Sequence, residues 1–395
     1  MNRENIQFNK LQIFLSSISH FITDIYQSFI IGLIPILALK FNLSLFKVGL
    51  LTATSTIANS LFSPIFGYFS DRHGLKYYLI AGPLFTSIFL SLIGIIPNYY
   101  LLLLFLFLGN LSIAAYHPAS AAIAGHFGGD KKGLGSSIIN FGGNLGYSIG
   151  SLLIILVTEK LNIYFTPIAI IPGLIIVIFL FKFAPDIKSN NDKAYSIDFL
   201  RIKKSNKEKI YMLLLIMFTE YSLYVLWITL LTYMPLYFTG LNVTLINIGI
   251  ILFLFGMLGG AGGLLTGFIF DRFKKGRIII QVAFALSIPL FFFTFKTTGL
   301  TSIMLFISGG FFLISIQPVC IRMAQDIMPE NMSLASSLIL GFSPGIAAIT
   351  MILLGKVADI IGIETLVNYE LILILFTIIL LFFKPPSTSL DRNDF

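Results

Sequence analysis

Twelve runs of apolar residues recur along this chain of 395 residues, at about 12–40, 47–70, 76–96, 99–125, 133–158, 163–184, 210–239, 245–270, 277–296, 299–325, 331–358 and 364–384. A helix needs about 20 apolar residues to cross a hydrocarbon core about 30 Å thick, and most of these runs reach that length. Inside lipid every backbone N–H and C=O must be satisfied within the spanning element, so runs of this length become helices. Only 11% of the residues are charged, against about 25% in soluble domains. Polar turn clusters such as Asp71-Arg72-His73-Gly74 and Pro97-Asn98 separate the runs. One longer polar segment, about 185–209, divides them six and six. The expected fold is an all-α membrane protein of twelve transmembrane helices. Its domains are a bundle over 1–184, a cytoplasmic linker over 185–209 and a bundle over 210–395. The first apolar run is far too long for the core of a cleavable signal peptide, so it is expected to remain as a span.

The net charge of +8 is not a nucleic-acid footprint, because the basic residues sit in short loops. With both termini placed in the cytoplasm, only Lys40, Lys47, Lys160, Lys296 and Lys356 fall outside, leaving 21 of the 26 Lys and Arg inside. The positive-inside rule therefore fixes the expected topology, in the cell inner (plasma) membrane. Cys320 is the one cysteine, so no internal disulfide can form, and no metal motif or cofactor loop is evident. With no nucleophile–base spacing either, an enzyme is not expected. The expected partners are the bilayer, a small-molecule substrate and protons, with the chain working as a monomer.

The halves resemble each other at a constant offset of 200 residues. Pro35 pairs with Pro235, Gly67, Asp71 and Arg72 with Gly267, Asp271 and Arg272, His117-Pro118 with Gln317-Pro318, and Ser136-Ser137 with Ser336-Ser337. His20 pairs with Glu220. Several coincidences at one offset indicate a duplication. An even number of spans per half makes the repeats parallel and the two six-helix bundles pseudo-symmetric.

Within the first run, Ser16, Ser17, His20, Thr23, Asp24 and Gln27 share one face. At 100° per residue, Asp24 lies about 40° from His20 and Gln27 about 20° the other way. Ionisable residues at membrane depth are expensive, so such a stripe marks a functional site. In the fifth run Asn140 and Asn144 lie on one flank, while Gly142, Gly143, Gly146 and Gly150 lie on another that suits close helix contact.

The segment Gly67-Tyr-Phe-Ser-Asp71-Arg72-His-Gly74-Leu-Lys76 resembles the loop between helices 2 and 3 of the major facilitator superfamily. Asp271 and Arg272 fall in a degenerate second copy. Ser19-His20-Phe-Ile-Thr-Asp24-Ile-Tyr-Gln27-Ser28, Tyr116-His117-Pro118-Ala-Ser120 and Gly142-Gly143-Asn144-Leu-Gly146 resemble the fosmidomycin-resistance branch. Tyr116 and Ala119 here stand where that branch has Phe and Glu. Gly133 through Gly150 is similar to the antiporter motif of exporters, with Tyr147 in place of its Pro and Ser151 of its final Gly.

The resemblance implies secondary transport by alternating access, with helices 1, 4, 7 and 10 lining a central cavity. It implies that Asp24, His20, Glu220 and His117 converge on one layer that handles protons. Gln27, Asn110, Asn140, Asn144, Tyr224, Trp227 and Gln317 are the expected substrate contacts. Gly67, Asp71, Arg72, Gly74, Lys76, Asp271 and Arg272 are expected to gate. Pro118 and Pro318 are expected to kink their helices. Glu370, near the start of the last run, reads as interfacial. The expected function is export of a small drug-like, amphipathic or anionic compound in exchange for protons. The alternative is a proton symporter or uniporter importing a metabolite such as an organic acid or sugar.

Overall fold

The computed structural model describes residues 8–185, 187, 207–329 and 332–383; most of the expected linker lies outside them. Among the described residues, eleven helices are long and apolar enough to span a membrane. They are α1 (Lys10–Phe41), α2 (Leu45–Ser70), α3 (Leu75–Gly94), α4 (Tyr99–Phe127), α5 (Leu134–Leu161), α6 (Ile163–Phe183), α7 (Glu208–Gly240), α8 (Leu245–Phe273), α9 (Gly276–Lys296), α10 (Gly299–Ile327) and α11 (Leu334–Phe382). α11 takes up both final apolar runs. Gly362 interrupts it with φ 79° and ψ 168°, a left-handed conformation that glycine adopts without a Cβ penalty.

Two compact units are formed. Among the described residues, one holds 8–43, 51–185, 187 and 238–253, the other 44–50, 207–237, 254–329 and 332–383. In the first, α1, α3, α4, α5 and α6 share a core that includes Ile13, Leu79, Tyr116, Ile123, Ile139 and Leu180, each at most 4% exposed. In the second, Phe255, Phe291 and Phe306 are fully buried, and the Phe255 and Phe306 rings stack at 4.6 Å.

The 200-residue repeat is written in the backbone as well as in the letters. Asn42 and Asn242 both take left-handed conformations, with φ 48° and 59°. After each, the chain closes its helix with the same bond: Leu43 N–H donates to the Ala38 carbonyl and Val243 N–H to the Phe238 carbonyl. The next helices open alike, on Ser44 and Thr244, whose hydroxyls accept from Lys47 N–H and Asn247 N–H. Gly74 (φ 104°) is matched by Lys274 (φ 53°).

Two prolines expected to act alike do not. Pro318 coincides with a break, because one helical segment ends at Ser315 and the next begins at Gln317. Pro118 leaves α4 helical from Tyr99 to Phe127. A break the prolines do not mark falls in α1 at Ser28, one turn past Asp24.

Candidate functional site

Helix–helix contact in the first unit is set by the small flank of α5. A Cβ at Gly146 would strike the Phe21 carbonyl, and one at Gly150 the Ile25 carbonyl. These glycines let α5 lie directly against the backbone of α1. The consequence at Gly143 is local and chemical. A Cβ there would lie 2.7 Å from His20 Nε2 and 2.8 Å from Asp24 Oδ2, so the absent side chain leaves the space those two groups use.

Asp24 is buried, and its carboxylate faces two imidazoles. Oδ1 lies 3.0 Å from His117 Nε2 and Oδ2 lies 3.3 Å from His20 Nε2. A carboxylate only accepts, so Nε2 of His117 donates. His20 is more constrained: its Nδ1 lies 3.1 Å from the Ile139 carbonyl of α5, which also only accepts. Both His20 nitrogens therefore face acceptors, the arrangement of a doubly protonated ring. The imidazole rings meet edge-on at 5.0 Å. His117 has the more open side chain, 28% exposed against 13% for His20. The ligand-type atoms of the three residues lie within 4.8 Å of one another, a compactness already accounted for by charge pairing around one carboxylate.

Behind this cluster is a buried hydroxyl network. Tyr116 OH donates to the Ser16 carbonyl at 3.2 Å and is also bonded to Ser19 Oγ. Ser16 Oγ and Ser120 Oγ are 3.0 Å apart. The tyrosine that departs from the branch pattern thus ties α4 to α1 through its hydroxyl, beside the His20 ring at 5.7 Å.

The second unit holds a separate acid. Glu220 of α7 is fully buried. Gln317 Nε2 donates to its Oε1 at 3.2 Å and to Tyr224 OH at 3.3 Å. Glu220 Oε2 has no partner of ordinary hydrogen-bond geometry among the described residues, although the buried Cys320 thiol interacts with the same carboxyl. Tyr224 and Trp227 meet edge-to-face at 5.3 Å. Both are partly exposed, as is Gln317.

The remaining expected residues divide. Asn140 and Asn144 are exposed and Gln27 is partly so. An exposed amide at mid-span needs water or a polar ligand rather than lipid. Asn110 does not join them: it is 1% exposed, and its Nδ2 donates to the Leu106 carbonyl of its own helix at 2.9 Å. The loop residues make local contacts. Gly67 faces the Pro118 ring, and Arg72 donates to Tyr68 OH at 2.6 Å. Lys76 lies over the Phe181 ring, and Arg272 over the Phe273 ring. Asp271 sits 3.4 Å from Lys274. Gly74 N–H closes α2 on the Ser70 carbonyl. The Asp71 side chain lies outside the described residues. Sequence reasoning missed the Ile139 carbonyl, a main-chain group that no side-chain pattern announces. It also missed the burial of Glu370, which is 4% exposed rather than interfacial.

Known proteins agree with this architecture. The chain is 26% identical over 358 residues to the fosmidomycin resistance protein of Escherichia coli (strain K12), covering 88% of this chain and 86% of that one. Over 89 residues it is 37% identical to the multi-drug resistance efflux pump PmrA of Streptococcus pneumoniae, 22% of each chain. A solved structure of the nucleoside transporter NupG shares the fold with a TM-score of 0.77 at 14% identity, over 94% of this chain and all of that one. Residues 16–339 match the Major Facilitator Superfamily, a family of transporters rather than enzymes, and the chain belongs to that family as a multi-pass membrane protein.

Proposed function

We propose that this transporter exports a small drug-like or anionic compound in exchange for protons, by alternating access of two six-helix bundles with twelve spans in all. The reading places it in the inner membrane with both termini cytoplasmic. The names of two relatives, a fosmidomycin resistance protein and a multi-drug efflux pump, support export, and fosmidomycin is the first probe to use.

The observation that carries proton coupling is a pair of buried acids, Asp24 in the first unit and Glu220 in the second. Asp24 is held by His117 and His20, and Glu220 by Gln317. A proton arriving from outside at Asp24 Oδ1 cancels the charge that holds His117, the more exposed of the two imidazoles. Loss of that proton to the cytoplasm restores the pair and the substrate-binding form. Gln27, Asn140, Asn144, Tyr224, Trp227 and Gln317 are the polar and aromatic side chains proposed to contact substrate. The loops around Gly67–Lys76 and Asp271–Arg272 serve as gates. One proton moved down a gradient of one pH unit supplies about 1.4 kcal/mol, enough to concentrate one exported molecule about tenfold.

Inside-out vesicles carrying the protein test this reading. Fosmidomycin uptake should require an imposed proton gradient and collapse when a protonophore is added. Uptake that survives the protonophore contradicts proton exchange.

A further inference from the structure

Glu370 lies eight residues beyond the Gly362 break in α11, about 12 Å along that arm. Its side chain is buried between α11 and α7. Oε1 lies 2.7 Å from Thr229 Oγ1, and the same hydroxyl lies 3.6 Å from Met351 Sδ. Oε2 has no partner among the described residues. No Lys, Arg or His among them pairs with this carboxyl. The titratable group that interacts with it is Tyr233, one turn along α7 from Thr229; Asp359 on α11 is occupied by the Leu45 and Phe46 N–H groups. Beyond the break Glu364 is already paired with Lys296 of α9 at 2.5 Å.

An ionised carboxylate here would place charge on Oε2 with no donor, in apolar surroundings where such burial costs several kcal/mol. The neutral acid removes that charge and closes the local hydrogen-bond chain. In that form Oε1–H would donate to Thr229 Oγ1, freeing the Thr229 hydroxyl, which otherwise donates to Oε1, to donate to Met351 Sδ, and only a neutral carbonyl oxygen would be left over. A glutamine or leucine would pack the same seam without a buried acid, so packing alone does not account for the carboxyl.

We infer that Glu370 is a further proton-binding site of the protein, a neutral carboxylic acid in this conformation and distinct from the two acids proposed to couple transport. Thr229 lies nine residues from Glu220 on α7, about 180° round the helix and about 14 Å along it. The two carboxyls therefore face opposite sides of α7 and do not share a proton directly. The inference goes beyond the export reading and does not depend on which compound is carried.

Infrared spectroscopy of the purified full chain in lipid, at neutral pH and without substrate, reads the proton directly. A neutral carboxyl has a C=O stretch above the amide and carboxylate bands, and that stretch moves down when the proton is exchanged for deuterium. The wild-type spectrum should hold such a band that Glu370→Gln loses and Glu220→Gln keeps. Thr229→Val, which weakens the hydrogen bond without removing the acid, should move the band to higher frequency and leave it present. A Glu370→Gln spectrum identical to wild type in this region means that Glu370 is ionised and overturns the inference. So does a band that ignores deuterium, since it would mark a carbonyl without an exchangeable proton.

Discussion

Replacing Gly143 by alanine isolates the space that the Asp24 cluster needs. The new Cβ would stand 2.7 Å from His20 Nε2 and 2.8 Å from Asp24 Oδ2, so the nearer gap must open by about 0.7 Å to reach ordinary van der Waals contact at 3.4 Å. His20 is tethered on its other side to the Ile139 carbonyl of the same helix, so it cannot retreat without giving up one of its two contacts. The His20–Asp24 separation of 3.3 Å is already at the long end for a charge-assisted pair, and further opening ends the pairing. A hydrogen bond to a charged group is worth about 1.5–3 kcal/mol, which corresponds to about a 10- to 150-fold change in an equilibrium. Proton-driven export by Gly143→Ala should fall within that range in vesicles matched for protein content. Gly125→Ala in α4 is the control, because its Cβ meets nothing within 4 Å and export should be unchanged. Wild-type export and an unaltered pH profile in Gly143→Ala would refute the claim that His20 and Asp24 work as a positioned pair.

Other substitutions separate the site from its scaffold. Glu220→Gln keeps the Oε1 acceptor for Gln317, so its melting temperature should stay near wild type while proton-driven export drops about tenfold or more, the worth of one charge-assisted contact. Asn110→Leu removes a buried amide whose Oδ1 has no partner among the described residues; export should be unchanged and thermal stability equal or higher. Gly74→Ala forces a side chain into φ 104°, costing about 1–3 kcal/mol, and a thermal-shift assay should show a lower melting temperature with substrate affinity retained.

The layer around Asp24 was legible because its signals are periodic. Ser16, His20, Asp24 and Gln27 repeat at helical spacing in an apolar run, and His117 sits beside a proline in a second run. Periodicity also misled. Asn110 is seven residues from His117 and shares its helix face, but two turns along the axis that face meets other neighbours. There α4 is packed on α3, with Thr86 donating to the Gly109 carbonyl. Glu370 was misread because the letters do not show where one arm of α11 ends. The break is a backbone event at Gly362, and only its position reveals that Glu370 lies more than two turns inside the next arm. The two His-Pro and Gln-Pro motifs look equivalent in sequence, yet only Pro318 accompanies a helix break, so a proline's letter does not decide whether its helix yields. The 200-residue repeat held where backbone conformation carries it, at Asn42 and Asn242, and even where glycine became lysine at 274.

The central claim is that transport and proton movement share the buried acids. Proteoliposomes loaded with a pH-sensitive dye and given fosmidomycin on the substrate-binding side measure both fluxes at once. Wild-type protein should move protons opposite to the compound at a fixed ratio, and Asp24→Asn should abolish that proton flux. Export without any proton movement, or a wild-type proton flux in Asp24→Asn, would contradict the account.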